Sequence, residues 1–104
     1  MYSFIETKLF TRLVQHYLTD DEYAALQAFM AAEPEVGTVI PGSGGVRKLR
    51  WRAAGRGKRG GNRVIYCIRH SERVFWMLTM YPKNIKENVS PSVLRQIRQE
   101  MESD

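Results

Sequence analysis

Apolar residues recur along this chain with two different spacings. In "KLFTRLVQHYL" (8–18), Leu9, Phe10, Leu13, Val14 and Tyr17 fall on one face of a 3.6-residue turn, which predicts an amphipathic helix. "EYAALQAFMAAE" (22–33) repeats the pattern with Tyr23, Leu26, Phe29 and Met30 inward. Thr19 stands three residues before Glu22, the spacing of a capping box, and Asp20 and Asp21 suit the positive end of the helix dipole. Pro34 stops this helix, and the two together predict an antiparallel hairpin. A third helix opens near Ser90–Pro91 and directs Val93, Leu94, Ile97 and Met101 inward.

Between these helices the period falls to two. "YSFIET" reads as a short strand. "VRKLRWRA" (46–53) points Val46, Lys48, Arg50 and Arg52 one way and Arg47, Leu49, Trp51 and Ala53 the other, so one face is largely apolar and the other is a basic row. "NRVIYCIR" (62–69) and "RVFWMLTMY" (73–81) are apolar on both faces, as central strands are, and "HSE" joins them in a tight hairpin. All eight glycines lie between positions 37 and 61, and "GTVIPGSGG" (37–45) reads as a loop. The order β-α-α-β-β-β-α predicts an α+β fold. It is a small antiparallel β-sheet with an N-terminal helical hairpin on one face and a C-terminal helix. The other face is expected to be partly open and rimmed by a basic loop. At 104 residues, the chain is expected to form one domain, 1–104.

Charge sharpens this picture. The net charge is +5, but residues 1–46 carry two basic and six acidic side chains, whereas residues 47–73 carry ten basic side chains and one acid, Glu72. Such asymmetry points to a polyanionic partner, most simply nucleic acid; a solvated basic face is the plainer alternative. Cys67, the one cysteine, lies in a strand-like run and reads as a buried apolar residue. The N-terminus lacks the pattern of a secretory signal, and no apolar run approaches the roughly 18 residues of a membrane span. A cytoplasmic protein without membrane contact is expected.

Most enzyme templates fail. His16 and His70 have no acid at a useful spacing and read as surface histidines. There is no P-loop, no G-x-S-x-G, no H-E-x-x-H and no metal-ligand cluster, so neither metal nor cofactor is expected. What remains is cationic. With His70, Ser71 and Glu72 as the hairpin loop, Arg69 faces Phe75, Ile65 faces Thr79 and Arg63 faces Tyr81; a two-residue turn would put Arg63 and Tyr81 on opposite faces. In the first register Arg63, Tyr81, Lys83, the loop cations Lys58 and Arg59, and Lys48 and Arg50 gather at one end of the sheet. Such a patch can bind phosphates. It can also cleave RNA, whose 2′-OH is a built-in nucleophile. Cleavage needs that hydroxyl deprotonated, the growing phosphate charge neutralised and the leaving 5′-oxygen protonated. Arginines hold phosphate bidentately, a lysine among cations can act as base, and a tyrosine or lysine can relay a proton.

"GSGGVRKLRWRAAGRGKRGGNRVIYC" (42–67), then "FWMLTMYPKN" and a closing helix, resembles the HigB-type branch of RelE-like bacterial toxins, and "TDDEYAALQ" fits as well. The likeness spans nearly the whole chain and rests on G-[GS]-[GN]-R-[VI]-I-Y with a downstream Y-x-K. It implies the toxic half of a type II toxin-antitoxin module, a ribosome-dependent endoribonuclease that cuts the A-site codon by 2′-OH attack. It implies catalytic roles for Arg63, Lys58, Tyr81 and Lys83, with Arg63 stabilising phosphate. Lys48, Arg50, Arg52, Arg56, Arg59 and Arg73 would hold RNA or the ribosome. The implied partners are a HigA-like helix-turn-helix antitoxin, the ribosome and mRNA, with operator DNA reached only through the antitoxin complex. Some relatives carry a catalytic tyrosine in the C-terminal segment; residues 84–104 contain none, which leaves Tyr81 for that role. Competing readings are a gyrase-directed ParE-like toxin and a non-catalytic RNA-binding module. Tyr81 also reads as a strand-end residue packed on the last helix, and Arg63 as one half of a salt bridge with a C-terminal acid.

Overall fold

The computed structural model describes residues 1–52, 61–85 and 90–102. Elements follow the expected order with one addition: β1 (Ser3–Glu6), α1 (Lys8–Tyr17), α2 (Asp20–Ala32), β2 (Thr38–Val39), β3 (Arg47–Trp51), β4 (Asn62–Arg69), β5 (Val74–Pro82) and α3 (Pro91–Glu102). The addition is β2, two residues of the presumed glycine loop that pair with β3 at the sheet edge. The strand order is β1-β5-β4-β3-β2. The fold is α+β, but the sheet is mixed rather than antiparallel, because β1 runs parallel to β5. Alternation over four residues signals a strand and carries no direction. Direction comes from the tie between the start of α1 and β5: the Thr7 N–H donates to the Met77 carbonyl at 3.1 Å.

Helices form where the caps and stripes predict. Thr7 caps α1 by accepting from the Phe10 N–H, and Thr19 and Glu22 make the full capping box of α2. Phe10, Val14, Leu26 and Met30 bury against Leu49, Val64, Tyr66 and Phe75 on one face of the sheet. On the other face, Leu94 of α3 packs with Val46, Ile65, Cys67, Trp76 and Leu78, with Ile97 and Met101 beside it. The face expected to lie partly open is thus covered by α3 over its centre, which explains why β4 and β5 are apolar on both sides. Cys67 is buried in that layer. Leu9 and Val93, expected inward, are exposed, because each helix buries a narrower arc than its apolar stripe.

The β4–β5 ladder contains a register shift. Residues 70–72 form a 3-10 turn, closed by Arg73 in the left-handed region at φ 55°. Arg69 therefore faces Val74, not Phe75. Between Ile65 and Tyr66 the register slips by one, leaving Leu78 unmatched; beyond it Ile65 faces Thr79 and Arg63 faces Tyr81, as the sequence reading required. The Leu78 carbonyl accepts the Thr7 hydroxyl at 2.7 Å. The same Thr7 oxygen accepts the Phe10 N–H at 3.0 Å, so one side chain caps α1 and holds the bulge.

Tyr66 anchors the chain leaving α2. Its hydroxyl accepts the Gly37 N–H at 2.9 Å and donates to the Pro34 carbonyl at 3.1 Å. Arg47 Nη1 adds bonds to the carbonyls of Glu35 and Gly37. Gly37 is confined by this anchor, since a Cβ there would lie 2.8 Å from the Tyr66 hydroxyl. Burial pushes the Tyr66 phenol above its ordinary pKa. Replacing Tyr66 with Phe strands the buried Gly37 N–H, and urea denaturation should show a loss of about 1–3 kcal/mol. Because the folded-state pKa is raised, the neutral phenol's contribution is full below about pH 10, the unfolded value, and is lost as pH rises through the folded one. Wild type should therefore lose stability more steeply than Tyr66→Phe above that pH.

Candidate nucleic-acid interface

Three neighbouring strands set the site. Arg50 on β3 pairs with Arg63 on β4, and Arg63 pairs with Tyr81 on β5. Residues directly opposite in antiparallel strands share a face, so Arg50, Arg63 and Tyr81 form one row across the sheet. That face is the one α3 covers further along, because Ile65 and Cys67 follow Arg63 at period two. Two guanidinium groups directly opposite each other repel, and nothing in the ladder itself offsets this.

The row ends in a pocket of about 130 Å³, lined by Arg50, Trp51, Arg52, Arg63 and Lys83. Four of these five residues are cationic, and among the described residues no carboxylate lines it. Arg63 Nη1 is buried without a hydrogen-bond partner. Among the described residues Arg63 makes no ion pair, so the salt bridge considered for it is not found there. Lys83 is brought in by the chain just past β5, where its N–H donates to the Gly61 carbonyl at 3.1 Å. Gly61 takes φ +67°, and a Cβ on it would collide with the Trp51 carbonyl. That glycine lets the strand re-enter hard against β3. Tyr81 is half-buried and packs against the α3 layer, so it combines the strand-end packing role with a place beside Arg63.

Lys48 pairs with Ile65, one step along the same face from Arg50, and is exposed at the margin of the row. Arg52 lines the pocket. Lys58, Arg56 and Arg59 lie outside the described residues. Arg73, which the resemblance implies holds RNA or the ribosome, stands apart from the pocket: it closes the turn at the opposite end of β4 and β5, about 20 Å from Arg63 by strand rise, with its guanidinium over the Tyr2 ring. His70 is a correction: its Nε2 lies 3.1 Å from Glu35 Oε2, an acid partner distant in sequence. Both groups are exposed, at that same far end, away from the pocket. Trp51 is the lining residue that sequence reading left out. Its ring packs on Phe29 on the helical-hairpin side, as its alternation implies. Its position between Arg50 and Arg52 was the available signal.

The family model described as the RelE toxin of the RelE/RelB toxin-antitoxin system matches residues 4–103. The chain belongs to the RelE toxin family. Its fold is similar to that of a chain in the intact E. coli RelBE toxin-antitoxin complex, with TM-score 0.59 and 11% identity over 82% of this chain and 100% of that one. The isolated E. coli RelE toxin matches with TM-score 0.57 and 14% identity, over 93% of this chain and 99% of that one. The archaeal RelE-RelB complex from Pyrococcus horikoshii matches with TM-score 0.54 and 19% identity, over 82% and 98%. The RelE fold is thus retained at low identity, and the site of this RelE-family toxin has to be read from its own residues. None of the described helices is long and apolar enough to cross a membrane.

A stranded guanidinium nitrogen and a facing like charge make Arg63 an unfavourable residue for folding. Arg63→Met keeps the aliphatic stem and removes both defects. Its urea midpoint should rise, by about 1 kcal/mol in stability; an equal or larger fall would show that Arg63 is held by interactions that stabilise the fold.

Proposed function

We propose that this RelE-family toxin is an endoribonuclease of the HigB type that cuts translated mRNA in the ribosomal A site. The observation that carries this reading is the cross-strand row of Arg50, Arg63 and Tyr81 beside a pocket whose described charged residues are all cations. The 2′-oxygen of the RNA attacks the adjacent phosphorus, and the bond from phosphorus to the 5′-oxygen breaks. Cyclic phosphate and 5′-hydroxyl ends result. Arg63 and Arg50 neutralise the charge that grows on the non-bridging oxygens. Tyr81 and Lys83 handle the proton leaving the 2′-OH and the one reaching the 5′-oxygen, with Lys58 as a further candidate. Histidine takes no part, since His70 lies at the far end. Lys48, Arg52, Arg56 and Arg59 hold RNA or ribosome around this centre. Arg73, on its own end of the sheet, can do so only as a separate contact.

The reading carries the rest of the biology with it. The whole chain acts as one toxin domain in the cytoplasm, where ribosomes are. The RelBE and archaeal relatives are solved as complexes with an antitoxin. An antitoxin of the HigA-like helix-turn-helix kind is the proposed partner here, and operator DNA is met only through it. A gyrase-directed activity gains nothing from a pocket of four cations, and nothing in the geometry favours it.

Purified protein added to programmed ribosomes should cut the A-site codon, mapped by primer extension. Arg63→Ala should lower cleavage by about 10²–10³-fold with its fold intact. Tyr81→Phe keeps the packing on α3 and should lower cleavage by about 10²-fold. Undiminished cleavage by Arg63→Ala would overturn the assignment.

A further inference from the structure

The free protein holds a pocket in which every charged group among the described residues is a cation. Arg50 and Arg63 stand directly opposite each other in the ladder. Arg52 and Lys83 join them around the same space. Arg63 Nη1 is buried with its donor capacity unused. A buried donor with no protein partner calls for an acceptor, and beside three further cations the acceptor that suits a guanidinium best carries negative charge. Arg52 lies two residues beyond Arg50, a step of about 7 Å along the strand. The four cations are therefore spread over more than one tetrahedral anion and call for more than one or two negative charges. We infer that, away from the ribosome, this pocket binds a free diphosphate group, as inorganic pyrophosphate or the diphosphate of a nucleotide, and that this ligand excludes RNA. The inference rests on reading the pocket as the phosphate-binding centre of a ribonuclease, and it adds a small-molecule competitor at that centre. The pocket's own lining is not set to read a base: its one aromatic residue among the described ones, Trp51, turns its ring to Phe29 on the opposite side of the sheet.

Calorimetric titration of the full chain at fixed ionic strength tests this without ribosomes. Pyrophosphate should bind with one site per chain and at least tenfold more tightly than orthophosphate. ADP and GDP should match pyrophosphate within about threefold. Arg63→Ala and Arg50→Ala should each weaken pyrophosphate at least tenfold, while Arg12→Ala, an exposed cation on α1, should not. In the ribosome assay, pyrophosphate should raise the mRNA concentration needed for half-maximal cleavage and leave the maximal rate unchanged. A clear preference for one nucleotide would show that the base is read and overturn the diphosphate assignment. Equal weakening by Arg12→Ala would reduce the effect to general charge attraction and overturn it too. Tight diphosphate binding by a protein that cuts no mRNA would sink the ribonuclease and leave this site standing. Cleavage without diphosphate binding would do the reverse.

Discussion

A one-residue slip in the ladder between β4 and β5 decides which side chains share a face. Near the turn, Arg69 pairs with Val74, and the same register carried to the far end would put Met80 opposite Arg63. The unmatched Leu78 shifts the pairing, so Tyr81 takes that place. Side chains alternate strictly along a strand, so without the slip the Tyr81 phenol would point into the helical-hairpin layer. Thr7 fixes the slip by bonding the Leu78 carbonyl that the shift frees from the regular ladder. Thr7 is also the cap of α1, so the entry of the first helix and the register of the site are one constraint.

Two apolar layers let the sheet carry its charges at one end. α1 and α2 bury one face and α3 the other, and β4 is enclosed for most of its length. Only at the Asn62–Arg63 end does the α3 face turn from Ile65 and Cys67 to Arg63, with Arg50 beside it. Burial along the rest of the strand supplies the free energy that tolerates a like-charge pair and a stranded donor at this end. A site that binds phosphate strongly has to be poorly compensated when empty, so under the proposed function the same contacts that weaken the fold would provide the affinity.

Much of this was legible in the sequence. The helical periods, the Thr19–Glu22 capping box and the apolar runs of β4 and β5 rest on local rules, and the elements lie within a few residues of where those rules put them. Arg63 and Tyr81 were expected opposite each other, and they are, although the turn-proximal pairing was off by one. The two departures offset each other because the pairing next to the turn runs one residue short of the expected register and the unmatched Leu78 restores the count. Neither feature has a strong local signal: Arg73 is not a residue type that favours φ > 0, and Leu78 looks like any core position. The parallel pairing of β1, the strand β2 and the His70–Glu35 contact depend on partners far away in sequence, which periodicity does not report.

The acids complete the electrostatic design by their location. Glu72 pairs with Arg69 and Glu35 with His70, both at the turn end of the hairpin. At the basic end, no carboxylate among the described residues lines the pocket. Under the proposed function, paired acids at one end and described cations without a carboxylate at the other would orient the molecule in the field of a polyanion before contact. Arg50, Arg63 and Lys83 would then arrive first, carried on strand ends held by the sheet. Moving one acid, for instance Glu72, to the pocket end would leave net charge unchanged while weakening both the steering and the site. The proposed function rests on the arrangement of charge more than on its total of +5.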